Sequence, residues 1–177
     1  MTTAGTHRTE IVADPEVPLV RITREFDAPP AAVFRAHTDP ELLVCWLGPH
    51  GVEMRIDRFD CRTGGAYRYL HVSAGEEFGF HGSFHEVRPA EVIVQTFTFE
   101  GMPDGVALER LEFTDLGGGR TRLTSTSLVD SFAARDAFLA SGMDVGVREG
   151  HERLEVVLAG AAAAVTGRAA DQPPGDA

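Results

Sequence analysis

The sequence predicts an α+β domain: a curved antiparallel sheet of about seven strands, two short helices after the first strand, and one long C-terminal helix. Three observations carry this. Apolar and polar residues alternate with a period of two in successive runs from Leu19 to Val129, separated by turn-forming segments. The stretch from Phe26 to Pro49, FDAPPAAVFRAHTDPELLVCWLGP, interrupts the alternation with two helix starts and two stops. After Asp130-Ser131 the apolar spacing becomes helical and stays so to about Val165.

The elements follow in order. Residues 1–17 are polar and irregular, and 166–177 are rich in Pro, Gly and Ala, so both read as flexible tails around a single domain of residues 18–165. Leu19–Phe26 alternates as the first strand. Asp27 is placed to cap the next helix, and Pro29 or Pro30 suits its first turn, where a missing N–H costs nothing. Val33, Phe34 and His37 form one face of that helix. Asp39-Pro40 starts a second one, whose apolar face is Leu42, Leu43 and Trp46, and Gly48-Pro49 ends it.

Six further strands then run from Val52 to Val129. A three-residue turn at Gly117–Gly119 sets Phe113 opposite Leu123 and Leu111 opposite Ser125, whereas a two-residue turn would set Phe113 against Arg122. The same logic gathers Tyr67, Tyr69, His71, Phe78, Phe80, Phe84, Gln95, Phe97 and Phe99 on one face, aromatic but seeded with polar groups. Ser131 is a cap for the terminal helix, on which Met143, Gly146, Val147, Gly150, Leu154, Val157, Leu158 and Ala161 form one long face. Each glycine costs a helix roughly 1 kcal/mol relative to Ala. Gly142, Gly146 and Gly150 on or beside that face therefore point to close approach or to room left for something, with an irregular start at Ser141-Gly142 as the competing explanation.

Composition excludes several functions. A chain of 177 residues, 43% hydrophobic, is long enough for one domain with a real core. Its formal net charge of −11 argues against sequence-independent nucleic-acid binding, which rests on a basic surface. No apolar run approaches a membrane span, and MTTAGTHRTE lacks the basic-then-apolar order of a secretion signal. The expectation is a cytoplasmic protein with neither a nucleic-acid nor a membrane partner. Cys45 and Cys61 form no CxxC pair and read as buried thiols.

Chemistry is harder to find. His81 and His85 share a strand face but stand roughly 13 Å apart, too far to chelate one metal. There is no GxSxG elbow, and Gly117-Gly118-Gly119 joins two strands, so it is a hairpin turn and not a phosphate cradle. No catalytic residue, metal or cofactor is assigned. The polar residues on the inner face, His71, Gln95, Glu109, Ser125 and Ser127, and His151 one turn after Val147, are of the kind that orient a small ligand in an apolar cavity.

Asp27-Ala28-Pro29, Val33-Phe34, Thr38-Asp39-Pro40-Glu41-Leu42-Leu43, Trp46-Leu47-Gly48-Pro49, Gly64-Gly65-Ala66-Tyr67-Arg68, Gly82, Glu86-Val87, Thr121, Leu123-Thr124 and Ser141-Gly142-Met143 with Gly146 carry a resemblance over about residues 18–160. In this order they resemble the START-like (SRPBCC), helix-grip superfamily, and within it the group named after the activator of the heat-shock-protein ATPase. The resemblance implies a cavity between sheet and terminal helix that binds a small hydrophobic or aromatic molecule. Phe80, Phe84, Phe97, Phe99, Leu111, Met143 and Val147 would bury it; Tyr67, Tyr69, His71, Gln95, Glu109, Ser125 and His151 would orient it. The family usually carries Gly-Trp where this chain has Gly146-Val147, a change that enlarges or reshapes the cavity. Two alternatives rank below binding. One is a co-chaperone-like module in the stress response, with a heat-shock ATPase or a second copy of the chain as partner. The other is a cyclase or hydrolase using His71 or Glu109 as acid and base.

Overall fold

The computed structural model describes residues 7–170. Its elements are β1 (Glu10–Ala13), β2 (Leu19–Phe26), α1 (Pro30–Thr38), α2 (Pro40–Leu43), β3 (Glu53–Phe59), β4 (Ala66–Ser73), β5 (Glu76–Arg88), β6 (Val92–Phe99), β7 (Val106–Gly117), β8 (Arg120–Leu128), α3 (Phe132–Ala140) and α4 (Met143–Ala170). One antiparallel sheet has the order β1-β2-β8-β7-β6-β5-β4-β3. Strands β3 to β8 form a meander, and β2 closes against β8. Helices α1 and α2 carry the chain from β2 to the opposite edge strand, β3.

The N-terminal segment corrects the expectation of a tail over residues 1–17. Residues Glu10–Ala13 pair with β2 from Glu10↔Thr23 to Ala13↔Val20, which makes eight strands, and Thr9 is buried. An edge strand contributes mainly backbone hydrogen bonds, and Ile11, Val12 and Ala13 follow one another without alternation, so no period-two signal marks it. Residues 166–170, expected in the second tail, continue α4. The rest of both tail assignments, 1–6 and 171–177, lies outside the described residues.

Phe113 faces Leu123 and Leu111 faces Ser125, the expected register, but by another device. Gly117 pairs with Arg120 across a two-residue tip, Gly118-Gly119, and the ladder shifts between Asp115 and Gly117. Both tip glycines have positive φ, 64° and 72°, which suits the twist of a tight hairpin. The irregularity on β7 restores the register that the short turn alone would have broken.

Local capping is mixed. Asp39 Oδ1 accepts from the Glu41 N–H at 3.0 Å and Ser131 Oγ from the Ala134 N–H at 3.1 Å, so α2 and α3 start as expected. Asp27 does not cap α1: the N-cap is Pro29, without a side-chain bond, and Asp27 lies 3.2 Å from His7 instead. Trp46 Nε1–H donates to the Ala36 carbonyl at 2.9 Å, fixing the end of α2 onto α1. Cys45 is exposed, contrary to the expectation, in the turn that follows α2, and its Sγ–H donates to the Glu41 carbonyl. Cys61 is half-buried. The core gathers Phe26, Val33, Ala36, Leu43, Trp46, Ile93, Phe113, Leu123, Leu154 and Leu158.

The terminal helical region is two helices. Gly142 breaks it, with φ of 82°, a left-handed conformation that a side chain disfavours. The two glycines inside α4 differ. A Cβ at Gly150 would stand 3.3 Å from the Trp46 carbonyl oxygen, so this is a point of close approach. At Gly146 the nearest atom, Pro49 Cδ, would be 3.7 Å away, ordinary contact.

Polar clamps hold α4 on both sides. On one, Glu149 accepts from the His50 N–H at 2.7 Å, and Arg153 donates to the Gly48 and Pro49 carbonyls, each at 3.1 Å. On the other, Arg148 donates to the Thr9 carbonyl, and the Thr9 hydroxyl stands 3.0 Å from His151 Nδ1 and accepts from Arg24 at 3.0 Å. The Thr9 hydroxyl thus links the Arg24 guanidinium to the His151 ring. Arg24 also pairs with Glu155 on α4 at 2.8 Å.

Thr9→Val keeps the side-chain shape and strands buried groups of Arg24 and His151. It should cost about 1–3 kcal/mol and lower the thermal midpoint by roughly 2–4 °C per kcal/mol. An unchanged midpoint in a thermal melt would show that the N-terminal segment does not fasten α4.

Candidate functional site

Between the inner face of the sheet and the N-terminal half of α4 lies a cavity of about 520 Å³. Every residue assigned to the site from the sequence borders it except Phe99: Tyr67, Tyr69, His71, Phe80, Phe84, Gln95, Phe97, Glu109, Leu111, Ser125, Met143, Val147 and His151. Phe99 pairs with Phe80 at the end of β6 and packs against its ring at 5.3 Å, so it backs the wall without lining the cavity. Sequence reasoning expected the Phe26–Pro49 stretch to close one end of the grip but missed the α3–α4 junction. Trp46, Leu47, Gly48 and Pro49 wall one end, while Phe138, Ser141 and Gly142 reach it from the α3–α4 junction. It also missed His37, whose signal was its place four residues after Val33 on the apolar face of α1.

The aromatic wall is a ladder across three strands. Tyr69 stacks on Phe80 with centroids 5.2 Å apart and 23° between planes, and Phe80 on Phe97 at 5.5 Å and 25°. Tyr67 lies nearly parallel to Tyr69 at 6.1 Å. Register explains this: Tyr69 is opposite Phe80, and Tyr67 is opposite Gly82. The absent side chain at Gly82 lets Tyr67 cross β5 and donate its O–H to the Thr96 carbonyl at 2.7 Å. A Cβ there would meet the Thr96 oxygen at 1.9 Å and the Tyr67 hydroxyl at 2.7 Å, so glycine is required.

The polar cluster is equally a product of register. Gln95 on β6 is opposite Glu109 on β7, which is opposite Ser127 on β8. Gln95 Nε2–H donates to Glu109 Oε2 at 2.9 Å, and Ser127 Oγ–H to Oε1 at 3.0 Å. Gln95 Nε2 lies 3.4 Å from the Tyr67 hydroxyl, joining the carboxylate to the aromatic ladder. Burial pushes the Glu109 carboxyl above the usual range, against the opposing effect of the two donors. The Tyr67 and Tyr69 hydroxyls are pushed up, first by burial and then by the Glu109 charge, so both stay protonated.

Three histidines border the cavity, and all are held neutral. His37 donates through Nδ1 to the Val33 carbonyl at 2.8 Å and meets Trp46 edge-on at 4.7 Å; burial lowers its pKa to about 4. His151 is lowered to about 3, first by burial, then by the Arg24 charge. His71 is lowered by burial and by Arg153, while the Leu47 backbone bonds its ring; Nε2 is buried without a partner. Gly48, at φ of 115°, packs on that ring, and a Cβ there would stand 3.0 Å from it. His81 and His85 are exposed on the outer face, as expected. Among the described residues, no group of three or more His, Cys, Asp or Glu could hold a metal ion, and no helix is long and apolar enough to cross a membrane.

An antiparallel sheet closed by a long terminal helix over an apolar hollow defines the START-like, helix-grip class. A family model described as Activator of Hsp90 ATPase homolog 1-like protein matches residues 27–159, and the chain belongs to this family. Solved structures agree. A protein from Rhodobacter sphaeroides is 28% identical with a TM-score of 0.76, covering 85% of this chain and 98% of that one. A protein from Arthrobacter aurescens is 25% identical with a TM-score of 0.78, over 85% and 91%. One from Chromobacterium violaceum is 27% identical with a TM-score of 0.69, over 79% and 96%. No curated protein matches.

The buried histidines set a pH dependence. His37 and His151 bind protons more weakly folded than unfolded, so the unfolded chain takes up more protons as pH falls. The histidine contribution to stability is therefore full above about 6.5 and falls from there toward about 4 as His37 loses its neutral advantage. At 1.36 kcal/mol per unit, His37 alone accounts for about 3 kcal/mol of that loss. Glu109 acts in the opposite sense, its contribution being lost as pH rises through its raised pKa. Denaturant titrations across this window should show a shallower acid slope for His37→Phe; an identical slope would remove His37 from the account.

Proposed function

We propose that this protein holds a small hydrophobic or aromatic molecule between the sheet and α4. The observation that supports it best is the cavity itself: about 520 Å³, walled by stacked aromatics, with its polar groups gathered around Glu109. This is the size and make-up of small-molecule sites, which are mostly apolar with a few placed polar groups. Val147 borders the hollow at the position where the family resemblance expects Trp, so the side chain that would fill the space is missing.

The test is a thermal-shift screen across lipids and aromatic polyketides, on the wild-type chain and on Val147→Trp. A saturating ligand at about 100 times its Kd stabilises by about 2.7 kcal/mol. The expected result is a raised midpoint for some compounds, lost in the folded Trp variant. No shift with any compound, or an equal shift in both proteins, would overturn the reading. A co-chaperone role is supported by the family description. It predicts a faster heat-shock ATPase on addition of the chain, and an unchanged rate with no pull-down would eliminate it.

A further inference from the structure

Resting on the reading that the cavity holds an apolar molecule, the character of its one carboxylate identifies that molecule further. Among the described residues, Glu109 is the only acidic one that lines the cavity, and neither Lys nor Arg lines it. Its two donors, the Gln95 amide and the Ser127 hydroxyl, are neutral and occupy one site on each oxygen. An ionised carboxylate offers about four lone-pair sites, so about half remain for a guest. A buried charge without a counter-charge is costly, which is why burial raises the Glu109 pKa; a guest cation would supply the counter-charge and favour the ionised form.

The surroundings suit such a guest. The stacked rings of Tyr69, Phe80 and Phe97 form the adjacent wall, an apolar surface for the body of a guest. Phe97 follows Gln95 by two residues on the same side of β6, which places the ladder beside Glu109. The histidines at the cavity are neutral and do not compete as cations. A net charge of −11 further favours the approach of a cation. A guest carboxylate would meet Glu109 as a like charge.

We infer that the cavity selects a hydrophobic amine: an aromatic or aliphatic body against the ring ladder, with its protonated nitrogen seated on the Glu109 carboxylate. Gln95 and Ser127 are then positioning residues that hold the carboxylate toward the guest. Val147 and Met143 on α4 cover the apolar end.

Calorimetric titration of the full chain at neutral pH with three matched probes, naphthylethylamine, naphthylethanol and naphthylacetate, tests this. The amine should bind about tenfold tighter than the alcohol, in keeping with one desolvated charge pair, and the acid weakest. In Glu109→Gln the amine and alcohol should bind alike, with alcohol affinity retained. Should that variant not fold, the wild-type pH profile serves instead: amine affinity falls as the carboxyl protonates, and alcohol affinity does not. An alcohol or acid binding as tightly as the amine overturns the inference and leaves the apolar-cavity reading standing. Failure of all three to bind overturns both.

Discussion

The hollow exists because α4 is held by its flanks and its C-terminal half, and not by the face that covers the cavity. Leu154 and Leu158 bury that half in the core. Gly150 brings the helix down onto the Trp46 carbonyl. Arg153 and Glu149 grip the Gly48–His50 backbone from one side, while Arg148, His151 and Glu155 grip Thr9 and Arg24 from the other. With its height fixed at these points, the first turns of α4 can stand away from the sheet. Met143, Gly146 and Val147 then look onto empty space, a loss of packing that a freely settling helix would remove. Trp46, pinned to Ala36, keeps the landing point in place.

The sheet's departures from an ordinary apolar face follow the same logic. Gly82 leaves a gap that Tyr67 crosses, and the aromatic ladder forms over it. Adjacent register then lines up Gln95, Glu109 and Ser127 on three strands, so the carboxyl is hydrogen-bonded rather than orphaned. Without those partners a buried acid at this depth would destabilise the sheet. Family membership fixes the fold of residues 27–159, and within that fold strand register sets this polar line.

Much of this was legible in the sequence because it rests on periodicity. Alternation placed Tyr67, Tyr69, His71, Phe80, Phe84, Gln95 and Phe97 on one face, and pairing Phe113 with Leu123 gave a register the structure has. The Gly150 approach and the Gly142 break were both foreseen as alternatives, and each holds at its own position. What was illegible depends on tertiary partners. Strand β1 is short and its apolar residues Ile11, Val12 and Ala13 do not alternate with polar ones, and Thr9 is buried where Arg24, Arg148 and His151 converge on it. Asp27 carries a good cap residue's chemistry, yet Pro29 occupies the cap and Asp27 turns toward His7. The surroundings of His37 were illegible because its partner is a backbone carbonyl of its own helix and its ring neighbours, Trp46 after α2 and Phe113 on β7, are brought there by the fold.

The central claim is that an apolar guest lies under the first turns of α4. It is tested most directly by nuclear Overhauser contacts between the tightest-binding naphthalene probe and methyl-labelled protein. The account predicts contacts from the ring protons to the methyls of Val147, Met143 and Leu111, all of which border the cavity. Saturated binding with no contact to any of these, and contacts instead to the exposed methyls of Val106, Leu108 and Leu128, would contradict it.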